Sequence, residues 1–231
     1  MVTNSPLRKI AASSHAKQVK ASVSKPSRTN DPAKTMSGIL TVAMAEFAEK
    51  GLSGARIDAI AAATHTSKRM IYYYFDSKEG LYLAVLEDSY RRMRQIESEL
   101  HLDDLAPIPA LEKLVGFTFD HHFGNQAYIR LVMTENIQRG AYLARSKTMP
   151  QVNATAIDSI KKCYQRGVTQ GIFRPNLDPI DIHASISALT VFNVANQHTF
   201  GLIFKRNMAS AQAQKVRRQS VIEMVVRFVC K

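Results

Sequence analysis

The chain has 231 residues, 45% of them apolar and 22% charged, which excludes wholesale disorder and leaves room for one large domain or two small ones. Its 31 lysines and arginines outnumber its 19 acidic residues, and the net charge of +12 favours an anionic partner, with nucleic acid ahead of a membrane surface. Nowhere do eighteen apolar residues follow one another, so no membrane span is predicted, and two cysteines are too few for a disulfide framework.

Half of the net charge lies in a short leader. Residues 1–30 contain no acidic residue and six basic ones: Arg8, Lys9, Lys17, Lys20, Lys25 and Arg28. The leader is rich in Ser, Ala and Lys and has no apolar core of the kind that a secretory signal needs. We therefore predict a disordered basic arm over residues 1–30, which either stays solvated or lies along DNA phosphates.

The chain becomes helical from Asp31, which together with Pro32 is typical of a helix start. Apolar residues at three- and four-residue spacing predict a first helix that ends at Gly51. Two short helices follow, over residues 57–63 and 68–74, with a polar turn between them. This pattern predicts a helix-turn-helix over about residues 55–74, within a three-helix DNA-binding domain of residues 31–80.

The second short helix has the features of a DNA recognition helix. Small alanines let the first short helix lie close behind it, so that its N-terminal face can enter a major groove about 12 Å wide. Lys68 and Arg69 stand at its start. The four aromatic residues 72–75 cannot all face DNA, so about half of them should pack inside. Lys78 lies near the start of the next helix, where the helix dipole disfavours a cation, which favours a phosphate partner.

Three stretches, residues 57–61, 67–75 and 77–81, together resemble the DNA-binding signature of the TetR family of transcriptional repressors. The chain departs from the usual pattern at residues 64–66, where Thr-His-Thr replaces Ala-Gly-Val, and at Arg56, where small residues or threonine are common. The resemblance implies phosphate contacts at Tyr73 and Lys78. The full set of predicted DNA contacts is Arg56, Ser67, Lys68, Arg69, Tyr72, Tyr73 and Lys78.

Residues 81–231 are predicted to form a helical effector-binding and dimerisation domain, so the fold class is all-α. Helices are expected over residues 77–100, 110–123, 126–137, 152–170, 180–204 and 211–229, with a loop at residues 103–109. The last helix has a wide apolar face, which either closes its own core or pairs with a second chain. The resemblance implies a homodimer that binds a palindromic operator.

Polar residues inside apolar helical stretches suggest an effector pocket between helices. The candidate contacts are Phe119, His122, Met133, Asn136, Phe192, Asn193, Asn196 and Gln197. Hydrogen bonding across a dimer interface is an alternative role for the asparagines. His121 and His122 point about 100° apart on a helix and cannot share one metal ion in the usual manner, so neither a metal nor a cofactor is expected.

The sequence contains no catalytic or nucleotide-binding signature, so an enzyme is not expected. We predict a sequence-specific, DNA-binding repressor of a catabolic or efflux operon, released by a small-molecule effector and located in a bacterial cytoplasm at the nucleoid. The C-terminal half loosely resembles regulators of aromatic or heteroaromatic (nicotinate-type) acid catabolism, which implies such an acid as inducer. The alternative is a non-specific basic DNA-associated protein without an inducer. In the repressor, an effector between the helix after Ser77 and those around Phe119 and Met133 would tilt that helix.

Overall fold

The computed structural model describes residues 31–231, apart from the side chain of Thr155, and the predicted basic arm over residues 1–30 lies outside the described residues. Within this range no strand occurs, and one isolated antiparallel bridge joins Phe173 to Cys230. The prediction of an all-α fold is therefore confirmed. The helices are α1 (Pro32–Gly54), α2 (Ile57–Ala63), α3 (Lys68–Phe75), α4 (Lys78–Ser98), α5 (Pro107–Gly124), α6 (Gln126–Ile137), α7 (Met149–Thr169), α8 (Pro179–Ala195), α9 (Gln197–Ile203) and α10 (Ala211–Val229).

Local sequence signals set most of the helix ends. Pro32 opens α1, and Gly51 interrupts it with a left-handed backbone (φ 66°), which glycine adopts without strain. Ser67 caps α3, because its side chain accepts a hydrogen bond from the backbone N–H of Met70. Asp178 caps α8 in the same way through the N–H of Ile180.

Two predicted boundaries are wrong. The expected loop at residues 103–109 ends earlier, because Pro107 and Pro109 lie in the first turn of α5, where proline needs no hydrogen bond from its nitrogen. The single helix predicted over residues 180–204 is broken at Asn196, whose backbone (φ −106°, ψ 3°) ends α8 before α9 begins. Asparagine has a low helix propensity, which permits a break here, although the Asn196 side chain makes no capping hydrogen bond to α9.

The core of the DNA-binding domain extends into the C-terminal helices. Phe47 of α1 and Ile71 of α3 are fully buried and pack with Leu81 and Leu86 of α4. Leu131 of α6 is also fully buried in this cluster. The predicted boundary at residues 80 and 81 falls within α4, which contributes Leu81 and Leu86 to this cluster and Met93 to a smaller cluster around Tyr128 of α6.

The second core lies among α5, α7, α8 and α10, and it decides the role of the apolar face of the last helix. Four residues of that face are buried inside the same chain: Val221, Ile222, Val225 and Val229. Met224 and Phe228 are 39% exposed. Most of the face therefore closes its own core, and only its edge is available to a second chain.

Candidate functional site

The turn between α2 and α3 keeps a tight geometry although histidine stands where glycine is usual. His65 has a left-handed backbone, with φ 51°. Its N–H donates to the carbonyl of Ala62, and the N–H of Thr66 donates to that of Ala61 at 3.0 Å. These two bonds close the C-terminus of α2 in the pattern that normally carries a glycine. Histidine at residue 65 thus raises the conformational free energy of the turn but leaves its hydrogen bonds in place.

The recognition helix α3 presents one exposed face and one buried face. Lys68, Arg69, Tyr72 and Tyr73 are exposed, and Tyr73 keeps 75% of its surface accessible. Ile71 is fully buried, while Tyr74 and Phe75 pack against the domain core. The expected division of the four aromatic residues is therefore confirmed. The exposed face combines two cations with two hydroxyl-bearing rings, a suitable set for phosphate and base edges.

Two predicted DNA-contacting lysines already have partners within the protein. Lys68 forms an ion pair with Asp58 of α2, in which both side chains are more than half exposed. The ammonium of Lys78 donates to the backbone carbonyl of Ser53 at 3.1 Å. That carbonyl lies at the end of α1, where the helix dipole favours a cation. Lys78 therefore has a favourable partner within the protein at the start of α4, apart from any phosphate.

The two remaining predicted contacts flank the recognition helix. Arg56 precedes α2 with an exposed side chain, and its backbone N–H donates to the carboxylate of Glu46 at 3.1 Å. A hydrogen bond from Lys50 to Glu46 holds the pKa of that carboxyl below its ordinary value, so the acceptor stays charged. The Ser67 oxygen is occupied as the cap of α3, but its hydroxyl proton is free to donate.

The eight predicted effector contacts do not share one pocket. Phe119 and His122 are buried in the helical bundle, where Nδ1 of His122 lies 3.0 Å from the Thr190 hydroxyl. Met133 and Asn136 are exposed on α6. These four residues therefore face different surroundings, two of them inside the bundle and two at the surface of α6.

The other four predicted contacts lie near the break between α8 and α9. Phe192 and Asn193 line an open cavity of about 810 Å³ beside α10. Asn196 forms the break itself, and the Gln197 amide donates to the side-chain oxygen of Gln126 at 3.0 Å. Two of the eight residues thus line a space of the size that small ligands occupy.

The cavity carries charges that the sequence did not indicate. Phe123 and Phe200 add aromatic walls, while Arg206 and Arg217 supply cations, and no acidic residue lines it. The guanidinium Nε of Arg217 donates to the Asn193 side-chain oxygen at 3.1 Å. An aromatic cavity with two guanidinium groups suits a flat anion.

A second group of polar side chains, here called the buried polar cluster, lies inside the bundle. It is formed by Tyr90, Arg94 and Glu97 of α4, His121 and His122 of α5, and Tyr128 of α6. Sequence reasoning missed Arg94 and Glu97, although a charged pair three residues apart on the inward side of α4 was a usable signal. Among the described residues no group of three or more His, Cys, Asp or Glu side chains is arranged to hold a metal ion.

The helix α6 connects this bundle to the DNA-binding domain. Besides the buried Leu131, Arg130 of α6 donates to the Glu49 carboxylate of α1 at 2.9 Å. Glu135, also buried, accepts the backbone N–H groups of Tyr142 and Leu143 at 2.9 and 2.8 Å. The helix α6 therefore contacts both α1 of the DNA-binding domain and α8 of the bundle, in addition to the continuous helix α4.

Sequence comparison agrees with this architecture. The family described as "Tetracyclin repressor-like, C-terminal domain" matches residues 107–225, and "Bacterial regulatory proteins, tetR family" matches residues 39–85. The chain belongs to the TetR family. It is therefore a helix-turn-helix DNA-binding transcriptional regulator and not an enzyme.

Relatives of this TetR-family chain include named repressors. It is 30% identical over 187 residues to the HTH-type transcriptional repressor NicS of Pseudomonas putida, covering 81% of this chain and 88% of that protein. It is 31% identical over 149 residues to the repressor SCO4008 of Streptomyces coelicolor, covering 64% and 74%. The crystal structure of the regulator SCO4942 from S. coelicolor aligns with a TM-score of 0.63 at 26% identity, covering 84% and 98%. Among residues 31–231, none of the helices combines the length and apolar character needed to cross a bilayer.

Proposed function

We propose that this TetR-family protein is a homodimeric repressor that binds a palindromic operator and is released from it by a small molecule, acting at the nucleoid in the cytoplasm. The observation that carries the proposal is the exposed face of α3, which joins Lys68 and Arg69 to Tyr72 and Tyr73 on a helix anchored by a buried core. Two such helices, one from each protomer, would enter successive major grooves about 34–36 Å apart.

The surface between α8 and α10 supports pairing of two chains. Phe192 of α8 and Val216, Met224 and Phe228 of α10 are between 39% and 56% exposed although they are large and apolar. A set of this kind on adjacent helices is typical of a self-complementary interface. The two recognition helices would then be held at a distance set by this pairing.

The proposed effector is a small aromatic or heteroaromatic acid, and the regulated genes would serve catabolism or efflux. The cavity beside α10 supports this class, because it combines phenylalanine walls with Arg206 and Arg217. An effector bound between the helices would shift α4 and α6, and with them α1 and α3. Such coupling is typically worth about 1–3 kcal/mol, or roughly 5- to 150-fold in DNA affinity, and operator would weaken effector binding by the same factor.

A matched pair of variants tests sequence-specific binding against the alternative of a non-specific basic DNA-associated protein. A genomic footprint of the purified protein first identifies the operator. Arg69→Ala should then weaken the free energy of binding to the operator by about 1–3 kcal/mol and relax the base preference at one position of the operator. Lys78→Ala should weaken operator and random DNA about equally, because phosphate contacts carry no sequence information. Equal affinity of the unmodified protein for operator and random DNA would reject the proposal.

The basic arm is proposed to add phosphate contacts. Deleting residues 1–30 removes six cations. Each lost phosphate contact lowers the slope of log affinity against log salt by roughly 0.9, so the deletion should flatten the salt dependence measured on the operator. An unchanged slope would assign the arm no role in DNA binding.

A further inference from the structure

The chain between α6 and α7, residues 138–148, is here called the α6–α7 loop. Its three cations are Arg139, Arg145 and Lys147, and all three side chains are exposed. The sequence has no acidic residue from residue 136 to residue 157. Among residues 31–231, none of the three cations forms an ion pair with a carboxylate. The α6–α7 loop therefore presents positive charge to solvent, which favours an anionic partner.

The helix α6 runs antiparallel to α4 and leads this loop toward the recognition helix. Near the start of α6, the centre of the Tyr128 ring lies 5.5 Å from that of the Tyr90 ring in α4. Near its end, Glu135 lies beside Tyr82 of α4, and the pKa of Tyr82 is raised by burial and by that nearby carboxylate. Because both helices rise by about 1.5 Å per residue, α6 descends along α4 toward Lys78, the first residue of α4.

Two of the cations lie beside the start of α4. The register of the two helices brings Arg139 to about the level of Lys78, one helical turn before Tyr82. The Arg145 guanidinium lies 5.1 Å from the centre of the Tyr142 ring, which in turn lies 5.3 Å from the centre of the Tyr82 ring. Both arginines are therefore near the end of α4 that follows the recognition helix, where operator phosphates are expected.

The α6–α7 loop is tied to the protein at both ends. The buried Glu135 carboxylate accepts the backbone N–H groups of Tyr142 and Leu143 at 2.9 and 2.8 Å. At the other end, the Glu87 carboxylate of α4 accepts the hydroxyl group of Ser146. These bonds fix the position of the loop relative to α4, so its backbone loses little conformational entropy when the arginines bind a partner.

The backbone of Arg139 indicates a role for its side chain outside the folded chain. Arg139 has a left-handed backbone with φ 59°, and Gly140 after it has φ 72°. Glycine adopts this conformation without strain, whereas a residue with a Cβ does not. Folding stability alone would therefore favour glycine at residue 139 as well. Strained positions of this kind cluster at binding sites, where the side chain offsets the strain through a contact with a ligand.

We propose that Arg139 and Arg145 bind DNA phosphates at the edge of each half-site of the operator, next to the phosphate contacted from the start of α4. The planar guanidinium group donates parallel N–H groups, which match two oxygens of a phosphate. The C-terminal domain thus adds two cations per protomer to the contacts of the helix-turn-helix. This inference rests on the proposed function and extends its DNA-binding surface beyond the DNA-binding domain.

The test is fluorescence anisotropy of the full-length protein with labelled operator and with random DNA of the same length, at several salt concentrations. Arg139→Gln/Arg145→Gln should weaken binding to both DNAs by the same factor, because phosphate contacts carry no sequence information. The slope of log affinity against log salt should fall by roughly 0.9 for each lost contact, or roughly 3.6 for a dimer that loses two contacts in each protomer. An unchanged slope would overturn the inference.

Lys147→Gln/Lys161→Gln is the matched control, because it removes the same charge from exposed positions farther from the recognition helix. Lys147 follows the residue that is bonded to Glu87, which lies about 13 Å along α4 from its first residue. Lys161 lies in α7. The control should keep the salt slope of the unmodified protein. An equal loss of slope in the two double variants would overturn the inference, because net charge alone would then explain it.

Arg139→Gly separates a DNA contact from a structural role. The glycine relieves the left-handed backbone, so the thermal midpoint should be unchanged or higher, while the salt slope falls by roughly 0.9 per protomer. A lower midpoint with an unchanged slope would assign Arg139 a structural role and overturn its part in the inference. The unmodified protein separates the two proposals. Preference for operator over random DNA, with an unchanged slope in Arg139→Gln/Arg145→Gln, rejects the loop contact alone, whereas equal affinity for both DNAs rejects the proposed function.

Discussion

The ion pair between Lys68 and Asp58 should lower the affinity of the protein for DNA by an amount that can be calculated. Lys68 begins the recognition helix, and its ammonium contacts the Asp58 carboxylate of α2. If Lys68 binds DNA, this pair must open, and Asp58 competes with the phosphate. Because the side chains are 57% and 51% exposed, the pair contributes only about 0.2–1 kcal/mol.

Asp58→Asn should therefore strengthen DNA binding by roughly 1.4- to 5-fold for each protomer that makes the contact, since Lys68 no longer has to leave a carboxylate. The free energy of unfolding of Asp58→Asn should also fall by about 0.2–1 kcal/mol, because its ion pair with Lys68 is lost. Lys68→Ala should weaken binding and lower the salt slope by roughly 0.9 for each protomer that makes the contact. Fluorescence anisotropy on labelled operator at several salt concentrations measures both quantities.

The decisive measurement is the double variant. If Asp58 acts by holding Lys68, Asp58→Asn should have little effect on DNA affinity once Lys68 is alanine, so the two changes will be non-additive. Equal strengthening of DNA binding by Asp58→Asn in both backgrounds would refute the role of the Lys68–Asp58 pair, because the effect would then come from the removal of general charge repulsion. Weaker binding by Asp58→Asn alone would refute it as well.

Three further predictions follow from single positions. His65→Gly should raise the free energy of unfolding by about 1 kcal/mol in urea titrations, because φ 51° strains any residue with a Cβ; an unchanged value would show no strain. Gly167→Ala should lower the free energy of unfolding by about 1–3 kcal/mol, since the Cβ of the new alanine would overlap the buried Phe173 ring. Gly38→Ala is the control, because a Cβ at that position meets open space and should not lower the free energy of unfolding. Below pH 6.5 the unfolded chain binds a proton that the buried His122 does not bind until about pH 3, so His122 by itself should lower the free energy of unfolding by at most about 1.4 kcal/mol per pH unit. His122→Asn should reduce the measured slope by up to that amount, and an unchanged slope would contradict the assignment.

Local signals in the sequence determined the helices and most of their ends. The caps at Ser67 and Asp178 and the break at Gly51 depend on residues within one turn, so they were readable without tertiary contacts. The exposed face of α3 followed for the same reason, because a helix of known register can bury only part of its surface. The helix-turn-helix was thus predictable together with its candidate DNA contacts.

Tertiary structure decided how the faces of the helices are paired. The apolar face of α10 was compatible with an internal core or a second chain, and only its packing against α5 and α8 buried Val221 and Val225 within the protein. Lys78 had an evident reason to seek an anion, but its partner is a carbonyl at the end of a helix 25 residues away. Helical periodicity shows which residues share a face and not what that face meets. For this reason the predicted effector residues separated into different surroundings, and the burial of the Arg94–Glu97 pair of α4 was decided only by the packing of that helix.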